Sequence, residues 1–218
     1  MIKKVLIVFG TRPEAIKMAP LVKEFSKFSN IFETKVCVTA QHREMLDQVL
    51  DFFSIAPDFD LNLMKPEQNL YSLTADIITE MKPVLESFNP DYVFVHGDTS
   101  TTMAASIAAF YNQSKVCHIE AGLRTNNKWS PFPEEVNRQI TGRIVDLHIV
   151  PTDSSKENLK KENVSTNQIV VTGNTVIDTL LESIDKVSNS PSDFIKGLDA
   201  QIGDRNVLLV TGLSLIHI

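Results

Sequence analysis

Val5-Leu6-Ile7-Val8-Phe9-Gly10-Thr11-Arg12-Pro13-Glu14-Ala15-Ile16-Lys17 is the stretch on which the reading of this chain turns. Val5–Phe9 is short, apolar and rich in β-branched residues, the pattern of a parallel strand buried on both faces. Gly10 is expected to permit a sharp turn after it. Thr11 and Glu14 have capping-box spacing, which would start a helix at Arg12. A residue before proline avoids the α region, so Arg12 at the N-cap with Pro13 at the first helical position is preferred. Either start aims backbone N–H groups, the helix dipole, Arg12 and, one turn on, Lys17 off the carboxyl edge of the first strand. That is a place for an anion, although the spacing is neither the dinucleotide-binding glycine motif nor a P-loop. Pro20 is expected to kink or split the helix.

Outward from this stretch, apolar runs alternate with amphipathic segments. Strands are expected at 34–39, 92–95, 115–119, 147–150 and 169–172. Helices are expected near 45–53, 70–88, 101–111, 133–145 and 176–187, with another capped by Asp153. Residues 54–65 read as irregular, and Pro83 is a distortion point in the longest helix. The alternation predicts a Rossmann-like α/β domain, a parallel sheet covered on both faces, over residues 1–172. A polar connector at 188–193 leads to a fresh strand at Val207-Leu208-Leu209-Val210, so 173–212 read as a linker, a helix and the first strand of an incomplete second domain.

Composition removes several function classes. At 43% hydrophobic and 22% charged the chain is ordinary globular protein rather than disordered. The net charge of −6 comes without a basic tract, which argues against nucleic acid or an anionic membrane as partner. No run approaches the roughly 18 apolar residues of a membrane span. Cys37 and Cys117 sit in strand-like runs without metal or redox spacing and read as buried thiols of a cytoplasmic protein. Asp58-Phe59-Asp60 is a D-x-D string, but its proline-flanked setting far from other candidates reads as chance, and no metal cluster is expected.

In an open α/β sheet the chemistry lies beyond the strand C-termini. His96-Gly97-Asp98-Thr99 and Glu120-Ala121-Gly122-Leu123-Arg124 follow two strands, so Asp98 and Glu120 should emerge on the same edge as Arg12. Asp98 could alternatively be a helix N-cap, and Glu134 a carboxylate favoured at a helix start by the dipole. His96 and His118 read as hydrogen-bonded core histidines.

Together with Gln41-His42-Arg43-Glu44-Met45, Ser130-Pro131-Phe132-Pro133-Glu134-Glu135 and Thr172-Gly173-Asn174-Thr175, these motifs occur in an order that closely resembles the bacterial non-hydrolysing UDP-N-acetylglucosamine 2-epimerases, over residues 1 to about 212. The resemblance implies a two-domain glycosyltransferase-B-like fold, of which this chain holds the N-terminal half. It implies interconversion of UDP-N-acetylglucosamine and UDP-N-acetylmannosamine for surface polysaccharides, without metal or cofactor, by a homodimer. Arg12, Lys17, Asp98 and Glu120 match ligand-contacting residues, and Asp98, Glu120 and Glu134 the catalytic acids. Gln41 and His42 match a regulatory substrate site, where Glu67 replaces a basic residue of some members. UDP would be eliminated to a glycal and re-added with the opposite configuration at C2.

After Val210-Thr211-Gly212 the family continues His-Arg-Arg-Glu, whereas this chain reads Leu213-Ser214-Leu215-Ile216-His217-Ile218. Residues 213–218 are therefore expected to be a non-native tail and the 218-residue form inactive. A hydrolysing 2-epimerase, or a module that binds a nucleotide sugar without turnover, are the alternatives.

Overall fold

The computed structural model describes residues 2–39, 43–64 and 68–208, with Arg43 described by its backbone alone. Met1–Thr179 form one compact unit and Leu180–Ile218 another. In chain order the elements are β1 (Lys3–Phe9), α1 (Arg12–Lys27), β2 (Phe32–Val38), α2 (Arg43–Phe53), β3 (Phe59–Asp60), α3 (Leu70–Phe88), β4 (Tyr92–His96), α4 (Ser100–Tyr111), β5 (Lys115–Ile119), α5 (Glu134–Ile144), β6 (Leu147–Val150), α6 (Asp153–Lys161), β7 (Ile169–Val171), α7 (Val176–Asn189) and α8 (Asp193–Ile202).

The strands make a parallel sheet of order β3-β2-β1-β4-β5-β6-β7, a Rossmann-like α/β fold. Alternation within β1 shows why both faces must be covered. Leu6 and Val8 pack in one cluster with α3 and α4 residues such as Ile77, Met81 and Ala105. Val5, Ile7 and Phe9 pack in the other with Met18 of α1 and Leu46 of α2. Each face is a separate core, and a one-residue slip of β1 would exchange their contents. The chain reverses its direction of winding between β1 and β4. The helices that follow these two strands, α1 and α4, therefore flank the topological switch point.

Several local expectations are corrected. Thr11, not Arg12, is the N-cap of α1, and the Thr11–Glu14 capping box is formed. Arg12 is the first helical residue, with Pro13 after it. Gly10 does not have positive φ. Its role is space, because a Cβ there would lie 2.0 Å from Thr39 Oγ1 and 2.5 Å from Thr101 Oγ1. Pro20 does not split α1, which runs unbroken from Arg12 to Lys27, and α3 likewise runs through Pro83. Thr99 rather than Asp98 caps α4, and Thr152 rather than Asp153 caps α6.

The irregular 54–65 stretch contains β3, which pairs with β2 through Cys37–Phe59 and Val38–Asp60. The D-x-D carboxylates serve the backbone there: Asp58 accepts the Val36 N–H at 2.8 Å and Asp60 the Asn62 N–H at 3.0 Å. In the second unit the connector leads into α8, an element the sequence reading lacked. Val207 and Leu208 are not strand, while Leu209 and Val210, like the 213–218 tail, lie outside the described residues. Among the described residues no helix is long and apolar enough to cross a membrane, and no group of three or more His, Cys, Asp or Glu could hold a metal ion. Cys37 and Cys117 are buried free thiols.

Candidate functional site

At the switch point the first structural fact is a buried carboxylate. Glu14, 2% exposed, turns back from α1 into the crevice. Its Oε2 accepts the N–H groups of Gly10 (2.9 Å) and Thr11 (2.8 Å) and the Thr11 hydroxyl (2.9 Å). Its Oε1 accepts the hydroxyls of Thr99 (2.6 Å) and Thr102 (3.2 Å) across at α4. Burial pushes the Glu14 carboxyl above its ordinary value, against the opposing pull of these donors. The backbone donors that the sequence left open for an anion are thus engaged by the protein's own side chain. Arg12 remains exposed beside them, with no side-chain partner among the described residues.

One turn further on, Lys17 reaches the end of β5. Its Nζ lies 2.6 Å from Glu120 Oε2 and 2.9 Å from Oε1. Asn174 Nδ2 donates to Glu120 Oε2 at 2.8 Å from the loop after β7. Burial works to raise the Glu120 carboxyl, but Lys17, His96 and Asn174 outweigh it and hold the group below its ordinary value. The backbone of Glu120 is left-handed, with φ 63°, a conformation that non-glycine residues rarely adopt and that concentrates at functional sites. The remainder of Glu120-Ala121-Gly122-Leu123-Arg124 is structural. Gly122 passes under Ser155 O, which a Cβ would approach to 2.4 Å, and Arg124 forks onto Glu162 at 2.6 and 2.9 Å.

Asp98 stands on the loop after β4 and faces a different partner. Arg138 of α5 donates to Asp98 Oδ2 through Nε at 2.9 Å and through a second guanidinium nitrogen, and to Glu135 Oε2 at 3.1 Å. Asn137 holds the Asp98 backbone carbonyl at 2.9 Å. Glu135, fully buried, receives the N–H groups of Thr125 and Asn126 and so fixes the loop before α5. Desolvation would raise the Glu135 carboxyl; those donors and Arg138 hold it low instead. Glu134 begins α5, and its Oε2 is buried without a hydrogen-bond partner among the described residues.

The structure therefore joins Lys17 to Glu120, gives Asp98 to Arg138, and leaves Arg12 and Glu134 without described side-chain hydrogen bonds. Gln41, His42 and Glu67 lie outside the described residues. Asn174, Arg138, Glu135 and Glu14 were missed as site-builders. Glu135 and Arg138 stand at i, i+3, a helical pairing visible in the sequence.

The histidines divide. His118 meets the expectation of a bonded core histidine, with Nε2 2.6 Å from Gly97 O. His96 does not: among the described residues both ring nitrogens are buried without a partner, a condition that costs about 1–3 kcal/mol. Burial pushes His96 down to about 4 and His118 to about 3. It also raises the Cys37 and Cys117 thiols to about 12, which excludes them as nucleophiles at neutral pH.

Sheet order and the Lys17–Glu120 pair beyond the strand C-termini define the class, a Rossmann-type α/β domain with a charged site beside its switch point. The particular family is given by comparison. The family model for UDP-N-acetylglucosamine 2-epimerase matches residues 24–212, and the chain belongs to that family. A UDP-N-acetylglucosamine 2-epimerase of Salmonella borreze is 58% identical over 211 residues, 95% of this chain and 56% of that one. The crystal structure of the Neisseria meningitidis UDP-GlcNAc 2-epimerase bound to UDP-GlcNAc superposes with a TM-score of 0.85 at 55% identity, covering 92% of this chain and 53% of that one. The Methanocaldococcus jannaschii enzyme, in complex with UDP-GlcNAc and UDP, gives 0.83 at 29% identity over 91% and 54%. The chain spans about half the length of the curated relatives it matches.

Proposed function

We propose that this chain supplies one wall of the active site of a non-hydrolysing UDP-N-acetylglucosamine 2-epimerase, which inverts C2 by eliminating UDP and adding it back. The observation that carries this reading is the Lys17–Glu120 pair: a cation suited to a diphosphate joined to a carboxylate suited to proton transfer, on a left-handed backbone at a strand end. The C2 proton is not adjacent to a ketone, so its direct removal would be very slow. Departure of the diphosphate first creates an oxocarbenium-like centre and makes the C2 proton acidic.

Arg12 and Lys17 neutralise the departing diphosphate. Asp98, Glu120 and Glu134 stabilise the positive centre and carry the C2 proton. The Arg138 fork holds Asp98 in one orientation. The same reading takes in a homodimeric, cytoplasmic enzyme without cofactor, with residues 213–218 as a non-native tail. It gives the relatives' further length the opposite wall. The 218-residue chain alone is accordingly expected to bind UDP weakly and not to epimerise.

Calorimetric titration with UDP tests the wall. Arg12→Ala and Lys17→Ala should each weaken binding about tenfold or more, the scale of a charge-assisted hydrogen bond. Unchanged affinity in both variants would remove the diphosphate assignment. Incubation with UDP-N-acetylglucosamine, followed by proton NMR, should give no C2 epimer; steady turnover would show that the second wall is unnecessary.

A further inference from the structure

His96 is left over in the Lys17–Glu120–Asn174 cluster. It ends β4, is 3% exposed, and neither ring nitrogen has a hydrogen-bond partner among the described residues. Its Nε2 lies 3.9 Å from Glu120 Oε2, which is too long for a hydrogen bond and about 1 Å from making one. Buried polar groups of native proteins are almost always paired, so an imidazole held just short of a carboxylate needs a reason. The carboxylate is already occupied: Lys17 reaches both of its oxygens and Asn174 reaches one.

We propose that His96 is the reserve partner of Glu120: when an anionic diphosphate draws the Lys17 ammonium away, the His96 Nε2–H closes the gap and takes over the hydrogen bond. This rests on the reading above that Lys17 meets an anionic ligand. The exchange replaces a cationic partner by a neutral one. A carboxylate tied to an ammonium is a weak proton acceptor, and the same carboxylate beside a neutral imidazole holds a proton more strongly. Ligand binding would thus switch on the basicity of Glu120 only when a substrate is in place. His96 is a positioning residue in this scheme and does not itself touch the reacting carbon.

The charged groups facing His96 allow it. Glu120 from the end of β5 favours an imidazolium, while Lys17 from α1 opposes it. Asp98, two residues along, is turned to Arg138. Burial, which holds His96 at about 4, keeps the ring neutral at ordinary pH and so able to donate from Nε2 without adding charge.

The first arm of the test needs no ligand. Lys17→Met removes the ammonium while keeping the chain's length, which mimics its withdrawal. Long-range proton–nitrogen NMR of the labelled 218-residue chain reads the tautomer of each histidine, with His96→Phe identifying the resonance. At pH 7.5, Lys17→Met should show His96 as the Nε2–H tautomer with a downfield, slowly exchanging proton. The Lys17→Met/Glu120→Ala double variant should lose that proton signal. His96 signals identical in the wild type, Lys17→Met and the double variant overturn the proposal. If Lys17→Met does not fold, Lys17→Gln takes its place. UDP added to the wild type should reproduce the Lys17→Met signature, and UDP that binds without moving the His96 resonances also overturns the proposal. Failure of UDP to bind, with the hand-over present in the variant, supports the His96–Glu120 coupling and defeats the diphosphate reading instead.

Discussion

At Gly10 there is no room for a side chain. Its Cα faces the Thr39 and Thr101 hydroxyls, which bond each other at 2.9 Å, and a methyl group would lie well inside van der Waals contact with both. Gly10→Ala should therefore cost about 1–3 kcal/mol by overpacking, read as a lower midpoint in chemical denaturation. A midpoint equal to that of the wild type would show that the crevice yields freely. The sequence marked Gly10 as special but for a different reason, because close approach to residues far along the chain leaves no local signature. Glu14 repeats the lesson. Its capping-box spacing was visible, yet the preference of a pre-proline residue for extended backbone pointed the other way. The capping box prevails because Glu14 also reaches Thr99 and Thr102, which the fold alone brings within range. Lys17 and Glu120 were legible as candidates from their positions after strands. That Asp98 would be spared from capping was not, since Asp is if anything the better cap by residue type and only the fold turns it to Arg138.

Within α1, Pro20 cannot donate to the carbonyl of Ile16, four residues back. The Thr179 hydroxyl, from the first turns of α7, donates to that carbonyl at 2.6 Å instead. The helix therefore continues through the proline with its orphaned acceptor satisfied. Thr179→Val keeps the shape and removes the donor, so it should cost about 1–3 kcal/mol, measured by thermal or chemical unfolding. Loss of less than a few tenths would mean that the Ile16 carbonyl finds another donor. Element α5 offers a second case, because Arg138 holds Asp98 and Glu135 together. Arg138→Ala leaves the buried Glu135 carboxylate without its countercharge and should destabilise the protein by about 3 kcal/mol, the scale for breaking a buried ion pair. Glu135→Gln, which keeps the shape, should be the milder change in the same assay. At this scale long helices and apolar strands were readable from periodicity. The two-residue β3 was too short to show a period, and α8 begins in a polar Ser-Pro-Ser-Asp stretch that reads as a connector.

For the whole molecule the strand–helix alternation made the parallel sheet legible before any coordinates. The sheet is also where three histidines are held well below their ordinary value of 6.5: His96 and His148 at about 4 and His118 at about 3, each first by burial. Above pH 6.5 both folded and unfolded chains carry them neutral and stability is complete. As pH falls through 6.5 the unfolded chain takes up protons that the folded chain refuses until about 4, and at His118 until about 3. Each such group thus removes up to about 1.4 kcal/mol per pH unit across that window. Glu120 and Glu135, held low, add a loss at more acid pH as they protonate. Glu14, held high, works in the opposite sense, its contribution being present in acid and lost as pH rises through its folded value. Denaturation midpoints should therefore fall between pH 7.5 and pH 5, and His118→Phe should flatten the slope. A midpoint constant over that range would refute the buried neutral histidines. The carboxylate lodged at the head of the first helix has a last consequence for crystallography. That socket is already filled from within, so crystals grown from sulfate should order the anion over the Arg12 guanidinium, leaving the hollow above Gly10 empty of it.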